Sequence, residues 1–142
     1  MHSLDILYPM FALVALTFSV LLQIPIRRFR AAYLGRVTAE DFRHGESANV
    51  PPETSLANRN YMNLLELPML FYAVCLALFV TGTVDSLALG LAWTYLALRA
   101  VHSLIHVTYN KVVHRLALFA VSNFVLIGLW LVFAIKIWPP RE

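Results

Sequence analysis

The chain has 142 residues, of which 60% are apolar and only 13% charged, with a mean hydropathy of +0.69. A soluble domain carries about 25% charged residues, so the composition excludes an ordinary soluble fold and indicates an integral membrane protein. The net charge of +3 does not imply nucleic acid, because the basic residues border apolar runs and form no patch interleaved with aromatics.

Four spans of about 20 residues fill such a length and leave no room for a separate soluble domain, so one all-α, four-helix membrane domain over 1–142 is expected. The first predicted span, about 6–26, follows Asp5 and runs into Arg27, Arg28 and Arg30. It lacks the basic start, short core and small-residue cleavage site of a signal peptide, and reads as a retained span. Next comes the one long irregular stretch, about 27–56. Its Arg43-His44-Gly45-Glu46 and Val50-Pro51-Pro52-Glu53 read as turn chemistry rather than linker.

The second span, about 57–80, stops at Thr81-Gly82-Thr83, and with Asp85 opening the next segment this predicts a tight helical hairpin. It contains Cys75, the single cysteine, which precludes an intrachain disulfide and reads as a small buried hydrophobe. The third span covers about 86–109 and the fourth about 116–138, ending in Pro139-Pro140. Trp93, Trp130 and Trp138 are candidates for interfacial anchors.

Arg27, Arg28, Arg30, Arg36 and Arg43 crowd the first loop, and Lys111 and Arg115 the third connection, against Lys136 and Arg141 on the other side. This excess places both loops in the cytoplasm and both termini outside it. Arg59, Asn63 and Glu66, at i, i+4 and i+7, then share a face in the cytoplasmic half of span two. On span three Arg99, His102, His106 and Asn110 share a face. An ionised Arg inside the bilayer costs roughly 2.5–3.5 kcal/mol on insertion scales, and such a charge marks a functional site by default. Arg99 and Glu66 each lie about 15 Å from the cytoplasmic end of their spans, so they are expected to pair. Asn63 comes level with His102 or His106, and Arg59 and Arg115 stand at the rim.

A pocket with arginines on several sides and one carboxylate suits a small anion bearing an amine. Glutathione fits that description, and a guanidinium beside its thiol would stabilise the nucleophilic thiolate. Charge geometry alone leaves glutathione one anionic metabolite among many.

Asn63-Leu64-Leu65-Glu66 followed by Leu67-Pro68, then Arg99-Ala100-Val101-His102-Ser103-Leu104-Ile105-His106 and Arg115, resemble the motifs of the MAPEG family. These are the membrane-associated proteins in eicosanoid and glutathione metabolism. Together with the four-span layout and the basic first loop, the likeness covers nearly the whole chain, and Leu98 to Asn110 with Arg115 is most similar to bacterial members. The resemblance implies a homotrimer with glutathione bound between neighbouring subunits. Arg59, Asn63, Glu66, Arg99 and His102 match positions that contact the tripeptide or support its contacts, and Arg115 matches the Arg placed near the thiol. His106 stands where several members carry a Tyr, the nearest phenol here being Tyr109, and Leu116 stands where prostaglandin-synthesising members carry a Ser. Those two departures speak against prostaglandin synthase chemistry.

Each residue also has a structural reading. Arg99 with Glu66 would serve as interhelical glue, and Ser122 and Asn123 as hydrogen bonds across a helix interface. His102 and His106 would suit a metal by spacing, but no HExxH-type arrangement or cysteine partner accompanies them, so no metal site is expected. Ser103 lacks the strand-to-helix elbow of a nucleophile, and Tyr109 and Asn110 would mark a helix end. The expected function is a membrane glutathione S-transferase-like enzyme, with Arg115 catalytic and glutathione as cosubstrate. Arg59, Asn63, Glu66, Arg99, His102, His106 and Tyr109 would bind the tripeptide, and the partner would be a lipophilic electrophile or lipid hydroperoxide from the bilayer. The alternatives are a non-catalytic binding or assembly protein of the same fold and a small transporter subunit. The bacterial inner membrane is the expected location.

Overall fold

Hydropathy marks where the hydrocarbon ends, but a backbone ladder continues until something stops it, and helix α1, Leu7–Tyr33, shows the difference. In the computed structural model, which describes residues 3–138, α1 follows a 3₁₀ turn at Ser3–Ile6 and continues past the predicted end at 26. Its 27 residues span about 40 Å, enough to cross the hydrocarbon and carry the basic residues beyond it. The stop is a Schellman cap: Gly35, at φ +66°, donates to the Ala32 carbonyl and Arg36 to that of Ala31, both at 2.9 Å.

The stretch after Gly35 is folded back on α1. Ala31, Val37 and Val50 form a small apolar cluster with Phe42 packed against it. The Arg28 guanidinium lies 4.5 Å from the centre of the Phe42 ring and pairs with Glu46 at 3.1 Å. Asp41 organises the turn: its carboxylate accepts from the Ser47 hydroxyl at 2.6 Å, the Thr38 N–H at 2.8 Å and the Asn49 amide at 3.2 Å. The predicted turn at Val50-Pro51-Pro52-Glu53 is instead the start of a helix, with Pro52 at its first position, where a missing N–H costs nothing.

Span two is two helices, α2 over Pro52–Leu65 and α3 over Pro68–Val80. Pro68 is the reason. It has no N–H to give the carbonyl four residues back, and its ring crowds that carbonyl, so the ladder ends at Leu65 and restarts at Pro68. Glu66 is therefore the C-cap of α2, exposed at the break.

The predicted hairpin follows, with Gly82 at φ +64° and Thr83 donating to the Leu78 carbonyl at 3.1 Å. Asp85 caps α4, Ser86–Val107, by accepting from Ala88 N–H at 2.8 Å. From the end of α5, Val112–Ile137, Lys136 reaches Asp85 at 2.7 Å and the Thr83 carbonyl at 2.8 Å. Pro139-Pro140 and Arg141 lie outside the described residues.

The α1 segment, the α2–α3 pair, α4 and α5 are each long and apolar enough to cross a membrane. The chain is an all-α, four-span membrane bundle. Contact is most extensive between α4 and α5, then between α1 and α2. At its centre the Phe71 ring stacks on that of Tyr95 at 4.7 Å, both fully buried along with Leu13, Leu78 and Leu129. Large apolar residues such as Phe11, Phe124 and Ile135 face outward, as a lipid environment allows.

Two outcomes follow from these contacts. The Ser47 hydroxyl first, then the Thr38 N–H and the Asn49 amide, hold the Asp41 carboxyl down at about 2 against an ordinary 3.8. The turn's hold is thus fully present above 3.8 and is lost as pH falls from there through about 2. Hydrogen-exchange protection at 38–49, relative to the unstructured rate at each pH, should fall only in that window, and Asp41→Asn should lack it at neutral pH; a turn already unprotected at neutral pH in the parent would contradict this. Replacing Asp85 with Ala removes a cap and the Lys136 partner together. It should cost about 1 kcal/mol or somewhat more in thermal unfolding, and an unchanged midpoint would refute the latch.

Candidate functional site

Arg99 sits eight residues before the end of α4, about 12 Å along its axis, and is fully buried. Its expected partner, Glu66, is near enough to attract it, but among the described residues the two form no ion pair. The Pro68 break accounts for this correction. By ending α2 at Leu65 it leaves the last carbonyls of that helix without intrahelical partners, so a main-chain oxygen can serve where a carboxylate was expected, while Glu66 stands exposed. Arg99 Nη2 donates to one of them, the main-chain oxygen of Asn63. The guanidinium also lies 5.7 Å from the centre of the Phe119 ring on α5, within cation–π range.

Around this anchor the bundle gathers polar groups. A cleft of about 230 Å³ is lined by Asn63, His102, Arg115 and the apolar Val112, Leu116 and Phe119. It therefore brings together three of the residues singled out from the sequence, one each from α2, α4 and α5. His102 and His106 are both buried with ring centres 5.9 Å apart, and His102 lies 6.1 Å from Phe119. His106 does not line the cleft, but Arg115 and Arg59 both stand close enough to act on it electrostatically. Arg59 and Tyr109 are exposed, the Tyr109 hydroxyl is 3.0 Å from His114 Nδ1, and neither residue lines the cleft.

The turn between α4 and α5 begins earlier than the expected end of span three at 109, and α5 starts earlier than 116. Because α4 ends at Val107, Asn110 is not on its polar face but in the connection, at φ +50°. There its N–H donates to the Ile105 carbonyl at 2.8 Å and its side-chain oxygen accepts from Arg115 Nη1. Asn is one of the few residues that enters this conformation readily, so one side chain both makes the turn and aims the guanidinium.

Two further polar positions escape sequence reasoning. Asn60, fully buried on α2, accepts from Ser103 on α4 at 3.1 Å, cross-linking the helices beside the cleft. Tyr95, one turn from Arg99, is fully buried with no partner for its hydroxyl. Asn60 is adjacent in sequence to Arg59, whose charge drew the reading one position aside. Tyr95 is indistinguishable from core without its neighbours.

Several buried donors here have no protein partner: Arg99 Nε and Nη1, Arg115 Nε and the Asn60 amide nitrogen, with His102 and His106 Nδ1 also open. Buried polar atoms are nearly always satisfied, and of these residues His102 and Arg115 line the cleft, where an anion with several acceptor oxygens would meet them.

The same helices carry the recognisable pattern. The model for the MAPEG family matches residues 6–135. The chain belongs to the MAPEG family. No curated protein matches it, and neither does any solved structure. The MAPEG match covers all four spans and contains every residue of the cleft.

The conformation of Asn110 gives a test of how this MAPEG cleft is built. Asn110→Gly should unfold within a few tenths of a kcal/mol of the parent. Asn110→Ala should cost on the order of 1 kcal/mol, because a Cβ without a local hydrogen bond is strained at positive φ. Thermal unfolding in detergent reads the difference, and equal losses in the two variants would show that the turn does not depend on this backbone state.

Proposed function

We propose that this MAPEG protein is a membrane glutathione S-transferase-like enzyme. The observation that carries the reading is the convergence of Asn63, His102 and Arg115 on one cleft, backed by Arg99, which does not line it but bonds the Asn63 main chain and keeps two buried nitrogens without protein partners. Glutathione offers two carboxylates for such donors and a thiol whose reactive form is anionic. In this reading Arg99, Asn63 and His102 receive the tripeptide, and Arg115 stabilises the thiolate. Arg59, Glu66, His106 and Tyr109 complete the binding surface once subunits associate as a homotrimer, which gives exposed Arg59, Glu66 and Tyr109 a site to line.

The cleft's apolar wall of Val112, Leu116 and Phe119 would admit a lipophilic electrophile from the bilayer. The thiolate sulfur attacks the electrophilic carbon, a C–S bond forms, and the displaced electron pair leaves with the departing group. With a lipid hydroperoxide the sulfur attacks the terminal oxygen and the O–O bond breaks, releasing an alcohol after protonation. A second glutathione then closes the disulfide and releases water. Glutathione enters from the cytoplasm, where the basic loops lie by the positive-inside rule, with both termini outside and the bacterial inner membrane as host.

Replacing Arg115 with Ala tests the assignment. Turnover against a panel of electrophiles and hydroperoxides should fall by roughly 10²–10³-fold, as when a donor to developing negative charge is removed. Glutathione affinity by calorimetry should fall far less, and the ultraviolet thiolate band seen when glutathione is added should vanish. Equal losses in affinity and turnover would defeat the role of Arg115, and failure of the parent protein to bind glutathione would defeat the whole reading.

A further inference from the structure

A second concentration of positive charge lies away from the cleft, where α1 leaves the apolar run. A cavity of about 530 Å³ there is lined by Arg27, Arg30 and Arg36 against a single carboxylate, Glu53. Arg27 is held in place by donating to the Glu53 main-chain oxygen at 2.8 Å and the Val107 oxygen at 3.0 Å, contacts that fix a guanidinium without neutralising it. Arg36 meets the Glu53 carboxylate at 3.4 Å, with more than half of each side chain exposed, a pair held weakly. Arg30 makes neither an ion pair nor a side-chain hydrogen bond among the described residues, and its five N–H donors are open. Three positive charges and one negative leave two uncompensated.

The same cavity has a greasy side. Ile26 and Leu34, at 64% and 52% exposure, share its lining face on α1 with Arg27 and Arg30. An arginine rim joined to an apolar wall at the membrane boundary matches an amphiphile with a negatively charged head and hydrocarbon tails. Planar guanidinium forks fit the oxygens of a phosphate ester, and basic residues at a membrane surface draw acidic lipid. We infer that this cavity is a binding site for the phosphate headgroup of an anionic phospholipid. The site lies between α1 and the start of α2, is separate from the cleft of Arg115, and does not depend on the glutathione reading.

Native mass spectrometry of the detergent-purified protein titrated with phosphatidylglycerol or phosphatidylcholine tests it. One phosphatidylglycerol per subunit should persist where phosphatidylcholine dissociates. Arg30→Gln, which removes an exposed side chain without partners and leaves the fold intact, should weaken that adduct roughly fivefold to tenfold. Arg43→Gln, in the same basic loop but outside this cavity, should leave it unchanged. Equal weakening by both variants would show diffuse attraction rather than a site and overturn the inference, as would equal retention of the two lipids. Excess inorganic phosphate should fail to displace the lipid, because it gains nothing from the apolar wall; displacement would overturn the lipid as occupant. Stoichiometric displacement by glutathione would overturn it too, by handing the cavity to the tripeptide.

Discussion

A guanidinium in the middle of a membrane must have its donors satisfied by the protein, and here the main chain supplies the first acceptor. The Asn63 carbonyl is available to Arg99 only because α2 ends at Leu65, and α2 ends there because Pro68 cannot continue the ladder. One imino acid thus sets the depth at which a buried cation is tolerated. A continuous span would have kept that carbonyl for its own helix and left Arg99 to find a carboxylate, and the cost of an isolated charge in low dielectric would have fallen on the fold.

What surrounds Arg99 follows from the same break. Phe119 lies over the guanidinium and shares the cleft wall with His102, so α5 is placed by the cation as much as by apolar packing. Asn60 and Ser103 tie α2 to α4 one turn away, fixing the spacing that the Arg99 contact requires. The donors left over belong to Arg99, Arg115 and Asn60 on these same helices. Their number is high for a helical bundle of this size, whose buried polar atoms are usually all partnered.

Much of this was legible in the residues. Span number and class came from composition and apolar run length, and the hairpin from Thr81-Gly82-Thr83, because each rests on local chemistry that tertiary contacts seldom override. The polar stripe of span three was readable because Arg99, His102 and His106 recur at helical spacing in apolar surroundings. The Arg99–Glu66 pair was misread for a physical reason: matching depth was taken to mean pairing, whereas the end of α2 at Leu65 frees a main-chain oxygen that Arg99 uses instead. The place of Asn110 was hidden because a single positive φ leaves no periodic trace. Asn60 was hidden because its importance lies in Ser103, distant along the chain.

The fastening of the far end has a mechanical consequence. Lys136 rivets the tail of α5 to the head of α4 and to the turn behind α3, while at the opposite pole the rods are joined by the α4–α5 turn and a folded-back segment. The α4–α5 pair is thus closed at both poles, by an ion pair at one and by the chain itself at the other, where Asn110 also holds Arg115. Cutting the rivet would leave only the covalent closure, so α5 would splay from α4 at its riveted end and leave the mouth by Arg115 as it is.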